Sequence, residues 1–281
     1  MKPIYLSLFV AACASAGPLP ATPDPGPFDP AQDPAWTLTF EDEFDGPVNE
    51  EIWDFQLGPR KDSVRVRDNA FTQDGHLILR TSKVDEVYET GFLRTRRKSK
   101  LLFAQRFGVF EARMKLDTAP GQWAAFWLMP KGTIHNKDGS GRDGTEIDIV
   151  EGFGRDPNSG VSQAIHFDGY GKLKQQSRTH YHMMPGAVET WRTYSVKWCP
   201  GSYTWYVDGV ETWRLTDPNV ISQAEQYLQL TTEVVLGSEW AGQMQDARLP
   251  ADTQVDYVRV YALAETPAAQ AACTVDTPGP S

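Results

Sequence analysis

The run "GTEIDIVEGFG", residues 144–154, places Glu146, Asp148 and Glu151 within six residues of an otherwise apolar, β-type stretch. Like charges this close repel one another, and a solvent-facing acidic strand is the simplest account of them. A second account is chemical. Retaining hydrolysis of a glycosidic bond needs one ionised carboxylate as nucleophile and one protonated carboxyl as acid and later base, with their pKa values pushed apart. A third acid between the two supplies that push through its charge or a shared proton. In a regular strand Glu146 and Asp148 share a face while Glu151 points the other way. One extra residue, a β-bulge near Ile149-Val150, returns Glu151 to the face of the other two. Four pleat steps separate the two Glu Cα atoms by ~13 Å. Side chains leaning inward on a concave sheet close much of that gap, toward the ~5 to 5.5 Å between carboxyls that retaining chemistry requires.

Such acids need rigid strands to hold them, and period-two alternation dominates the chain. "FGVFEARMKL" sends Phe110, Ala112, Met114 and Leu116 one way and Val109, Glu111, Arg113 and Lys115 the other. "SYTWYVDGVETWRL" is two strands joined by Asp208-Gly209, a pair that tolerates positive φ at both turn positions. "WTLTFEDEF", "HLILRTSK", "QYLQLTTEVVL" and "TQVDYVRVYAL" alternate likewise. No long stretch has helical periodicity, so the fold class is all-β, a sandwich or jelly roll of two antiparallel sheets. Periodicity does not choose between those two.

With 281 residues, 40% of them hydrophobic, the chain can build one sizeable β domain. A formal charge of -10 gives no basic footprint for nucleic acid or an anionic membrane surface. Residues 1–16, "MKPIYLSLFVAACASA", read as an export signal. Two cleavage readings compete there: "ASA" suits ordinary cleavage, and "VAAC" suits a lipobox that leaves Cys13 lipidated. The mature protein is expected outside the cytoplasm, secreted, periplasmic or lipid-anchored, touching a membrane only through that N-terminal lipid. Residues 17–34 contain seven prolines and read as a stiff spacer. The folded part is then 35–264, followed by a tail, 265–281. Cys199 and Cys273 form an even pair in an oxidising compartment and are candidates for a disulfide, although sequence does not show that they come within range.

"EIDIVE" resembles the E-x-D-x-x-E signature of glycoside hydrolase family 16, the jelly-roll retaining endo-glycanases that include laminarinases, agarases and carrageenases. Similar segments follow in the family's order: "FEDEFDG" at 40–46, "TGFLRT" at 90–95, "FGVFEARMKL" at 107–116, "PGQWAAFWLMP" at 120–130, "YVDGVETW" at 206–213 and "VDYVRVY" at 255–261. The resemblance implies Glu146 as nucleophile, Asp148 as its partner and Glu151 as acid/base. It implies a polysaccharide substrate, most of all a β-1,3- or mixed-linkage β-glucan; the chain is expected to be a monomer needing no cofactor for catalysis. It also implies cleft positions. Trp123 and Trp127 are candidates because sugar rings present apolar faces to indoles, with His166 near the reacting sugar and Arg94 and Asn69 on the cleft floor. Glu233 and Trp240 belong to the far side, where "TTEVVLGSEWAG" departs from the "GG" pattern frequent in laminarinases. A structural calcium ion on the convex face would be held by Glu43, the Gly75 carbonyl and Asp256.

Three rivals stand beside this reading. One is the same machinery acting on a galactan such as agar, porphyran or carrageenan, for which the basic run "LRTRRKSK" at 93–100 would lie at a rim. Another is a carbohydrate-binding jelly roll without catalysis, against which the intact Glu146 and Glu151 argue. A third is a transglycosylase, in which a sugar rather than water resolves the glycosyl intermediate; for the acids themselves, a divalent-metal cluster with His166 is a further account. "HYH" at 180–182 reads as a rim segment rather than a metal site, since no further ligand stands at suitable spacing.

Overall fold

The computed structural model describes residues 26–117, 119–132, 134, 136–153, 160–169, 176–184, 189–237 and 239–274. The export signal, Cys13, the first part of the spacer and the end of the tail lie outside these residues. Two β-sheets face each other. The outer sheet has eleven strands. They are β1 (Trp36–Asp42), β3 (Gly58–Arg60), β4 (Ser63–Arg65), β5 (Ala70–Gln73), β6 (His76–Val84), β7 (Val87–Thr90), β11 (Gly108–Lys115), β16 (Arg192–Cys199), β17 (Ser202–Val207), β18 (Val210–Leu215) and β20 (Ala251–Leu263). The cleft sheet has seven strands in the order β15-β14-β13-β12-β19-β8-β2. These are β2 (Asp54–Phe55), β8 (Phe92–Arg94), β12 (Gln122–Pro130), β13 (Glu146–Phe153), β14 (Val161–Phe167), β15 (Gln176–His182) and β19 (Gln226–Val234). A hairpin of β9 (Arg96–Arg97) and β10 (Lys100–Leu101) stands apart. Pairing is antiparallel throughout except between β4 and β7, where Val64 and Glu89 run parallel.

The fold is an all-β jelly-roll sandwich, and alternation explains its layers. Phe110, Ala112 and Met114 of β11 enter one core with Ala124, Phe126 and Leu128 of β12, Ile147, Ile149 and Val150 of β13, and Leu228 and Leu230 of β19. Each of the larger side chains among them, Val, Leu, Ile, Phe or Met, contributes ~1.5–3 kcal/mol by its burial. The alternate residues of β12, β13 and β19 therefore emerge on the open face of the cleft sheet. At the hairpin between β17 and β18, Asp208 and Gly209 take φ of 50° and 75°, the left-handed values a tight primed turn demands.

The expected spacer and tail differ from the structure. Residues from Gly26 pack onto the outer sheet rather than standing away from it: Phe28 stacks on Tyr206 at 4.6 Å, and its backbone N–H donates to the Gly209 carbonyl at 2.8 Å. Aromatic area is the reason, since Phe28 is the one aromatic side chain among the prolines. At the other end, a short helix, α1 (Pro267–Ala272), follows β20. Cys199 and Cys273 are bonded, with Cα atoms 5.4 Å apart. Ala35, Trp36, Val109, Cys199, Tyr261 and Ala269 form a second, smaller core on the outer surface of that sheet. This cover turns the expected half-buried β11 into a strand buried on both faces around Val109, and it encloses Glu111. Burial pushes the Glu111 carboxyl up to about 7, while the Tyr257 hydroxyl donates to it at 3.1 Å.

Candidate active site

The bulge is present where the spacing of the acids requires it. Against β12, Val150 faces Phe126 and Asp148 faces Trp127, so Ile149 has no partner of its own. Against β14, Glu146 faces His166, Asp148 faces Ala164 and Glu151 faces Ser162, five steps on one strand matched by four on the other. Ile149 and Val150 both turn into the core, fully buried. Glu146, Asp148 and Glu151 consequently share the open face. The Asp148 carbonyl at the start of the bulge is taken by Trp205 Nε1, which reaches 3.0 Å across from the outer sheet.

Glu146, Asp148, Glu151, Trp123, Trp127, Ala125, Thr231, Glu233 and Arg60 line one hollow on that face. Trp123 Nε1 donates to Glu151 Oε1 at 3.0 Å, and Trp127 Nε1 to Thr231 Oγ1 at 3.2 Å. Trp240 stands edge-on to Trp123 with ring centroids 5.2 Å apart, forming an aromatic corner at the rim. His166 Nε2 lies 3.3 Å from Asp148 Oδ2, off the hydrogen-bonding axis. Arg60 forms an ion pair with Glu233 and lies over the Trp127 ring at 5.7 Å. Lys61 Nζ stands 5.3 Å above Trp123.

Burial dominates the electrostatics. It pushes Asp148 up to about 8. Burial also raises Glu151 well above the usual carboxylate range, helped by the charges of Asp148 and Glu146 and opposed by His166 and the Trp123 hydrogen bond. A carboxyl shifted toward its protonated form is what a general acid needs. Glu146, Asp148 and His166 can each bring a ligand atom within 4.8 Å of the others. Burial favours the protonated form of Asp148 there, which suits proton sharing.

The structure also separates the expected residues. Trp123, Trp127, Glu233 and Trp240 gather at the acids. Arg94 is on the same face, in register with Gln229, but its guanidinium is paired with Asp54 at 3.0 Å. Asn69 is not brought to the hollow: its side chain donates to Ser82 Oγ at 2.9 Å, within the outer sheet's territory. The calcium set does not fit as expected. Glu43 is gripped by Arg259 at 2.7 and 2.9 Å, and Asp256 by Arg113 at 2.6 Å, so guanidinium groups take the oxygens a cation would need. In the basic run, Arg97 reaches Asp54 at 3.1 Å and Arg96 lies over Tyr227 at 5.3 Å. His180 stacks on Trp213 of β18, in the outer sheet, with centroids 5.9 Å apart, on the side away from the acids. Sequence reasoning missed Arg60, Thr231 and Trp205. Thr231 was available from the alternation of "QLTTE", two residues before Glu233 on the same face. Arg60 had no local signal, because its partner lies 173 residues away.

Fold and site together define a jelly-roll protein with a bulged acid strand on an open, tryptophan-lined face. The chain belongs to the glycosyl hydrolases family 16, whose family model matches residues 59–259. It is 30% identical to a beta-glucanase of Rhodothermus marinus, over 81% of this chain and 86% of that protein. It is 29% identical to glucan endo-1,3-beta-glucosidase A1 of Niallia circulans over 84% of this chain, but spans only 39% of that longer protein. The X-ray structure of the laminarinase from Rhodothermus marinus superposes with a TM-score of 0.69 at 26% identity, covering 82% of this chain and 98% of that one.

Proposed function

We propose that the protein is an exported retaining endo-β-glucanase that cuts β-1,3- or mixed-linkage β-glucan by double displacement. The observation that carries this reading is the bulge of β13, which sets Glu146 and Glu151 on one face with Glu151 held toward its protonated form. Glu146 attacks the anomeric carbon while Glu151 gives its proton to the leaving oxygen. Glu151, now ionised, takes a proton from water, and that water displaces Glu146 from the sugar with the original stereochemistry restored. Asp148 stands between them, protonated by burial, and orients the nucleophile. Trp123, Trp127 and Trp240 offer faces and edges for sugar rings. The named glucan-cleaving relatives favour glucan over galactan.

The N-terminal signal supports export, with lipid attachment at Cys13 or cleavage after Ala16 as the two routes. The test is reducing-end release by the full chain against laminarin, mixed-linkage glucan, agarose, porphyran and carrageenan, with Glu151→Gln alongside. Laminarin or mixed-linkage glucan should be cut to a product of retained β configuration by NMR, and the variant should lose about 10²–10⁴-fold in rate. Release from a galactan alone would overturn the glucan assignment, and inversion of configuration would overturn the mechanism.

A further inference from the structure

The hydrolytic chemistry uses Glu146, Asp148 and Glu151 and leaves the fourth acid of the same hollow, Glu233, without a task. Glu233 faces Trp123 in register across β19 and β12, and it is only 2% exposed. Arg60 holds one of its oxygens. The guanidinium is in turn pinned over aromatic rings, 5.7 Å from Trp127 and 6.0 Å from Phe92. The other oxygen, Oε2, is enclosed and accepts no hydrogen bond. An enclosed carboxylate oxygen without a donor keeps its full desolvation cost until a water, an ion or a ligand supplies the missing partner. Glu233 lines the hollow, so a ligand bound there can supply that partner. A sulfate or carboxylate ester would bring only acceptors against this oxygen, whereas a free sugar hydroxyl brings the donor it lacks.

We propose that Glu233, oriented by Arg60, is a specificity-determining residue: its Oε2 accepts a hydrogen bond from one free hydroxyl of the sugar unit adjoining Trp123, and glycans substituted at that hydroxyl are rejected. The inference rests on the glucanase reading and deepens it from a class of polymer to an unsubstituted position on one unit. A site built to bond a hydroxyl discriminates strongly against analogues that cannot supply it. Glu233→Gln keeps the shape, accepts more weakly and can donate to an ether oxygen, so it should relax that rejection.

The experiment uses the full chain and three series of laminari-oligosaccharides, each carrying a single O-methyl group at O2, O4 or O6. Wild type should disfavour one of the three by about 10- to 100-fold in kcat/KM, the scale of a lost hydrogen bond to a charged group. In Glu233→Gln that ratio should collapse toward one. An unchanged ratio would overturn the proposal. So would an equal loss on all substrates accompanied by a lower Tm, the mark of a merely structural role. If Glu233→Gln does not fold, calorimetric binding of the same series to Glu146→Gln decides, and equal affinity for all three overturns it. If wild type cuts a galactan instead, the glucan reading fails, while the corresponding methylated galacto-oligosaccharides still decide the role of Glu233.

Discussion

Trp123 Nε1 donates a 3.0 Å hydrogen bond to Glu151 Oε1, so the indole proposed as a sugar platform also tunes the acid. That donation favours the ionised carboxylate and opposes the upward push of burial. Turnover needs Glu151 protonated, so activity falls as pH rises through its pKa. Trp123→Phe removes the donor, raises that pKa, and should move the descending limb of the kcat/KM–pH profile to more alkaline values while lowering the maximum about 10-fold. A limb that stays put or moves toward acid would separate the indole from the acid's titration.

Asp148 links catalysis to stability. Its folded pKa of about 8 stands above the ordinary 3.8, so between those values the folded chain holds a proton that the unfolded chain has released. Stability from this group is therefore fully present below the lower value and is lost as pH rises through the upper one. Asp148→Asn should remove that slope, making the variant relatively more stable at pH 8 than at pH 5. The Tm difference between variant and wild type should change by at least ~3 °C, the effect of ~1 kcal/mol in a domain of this size. Thermal scans at the two pH values decide, and parallel curves would refute the link.

The bulge makes an unusual deletion tolerable. Glu146 and Glu151 face His166 and Ser162, four residues apart on β14, so β13 carries one residue more than its partner needs. Deleting Val150 leaves E-x-D-x-E, in which plain alternation keeps all three acids on the open face. Turnover should survive within about 10-fold, while loss of one buried side chain costs ~1–3 kcal/mol, read as a lower midpoint in urea. Complete loss of activity in a folded deletion variant would show that the bulge does more than restore the face.

The disulfide closes a loop of 74 residues and stands on the sheet away from the acids. The chain-entropy model gives such a closure ~4 kcal/mol. The double variant Cys199→Ser, Cys273→Ser should unfold at markedly lower temperature and keep its kcat at 25 °C. A fall in kcat without a fall in Tm would contradict this.

The acids were legible because their chemistry and the strand period conflict: only an extra residue reconciles Glu146 with Glu151, and the conflict points to its own repair at Ile149-Val150. The Asp208-Gly209 hairpin was legible because two positive φ values restrict residue choice. Pairings that depend on distant charges were not. Glu43 and Asp256 look like oxygen ligands until Arg259 and Arg113 arrive from neighbouring strands, and Arg60 meets Glu233 only after the sheets have formed. Phe28 was hidden by its company, since seven prolines describe a spacer and one aromatic ring is enough to fasten it.

Both described ends of the chain are fixed to the outer surface of the outer sheet, Phe28 on Tyr206 and Cys273 on Cys199. The working face is the opposite one. The described chain therefore begins and ends behind its own cleft, and neither of these two attachments stands on the face that carries the acids.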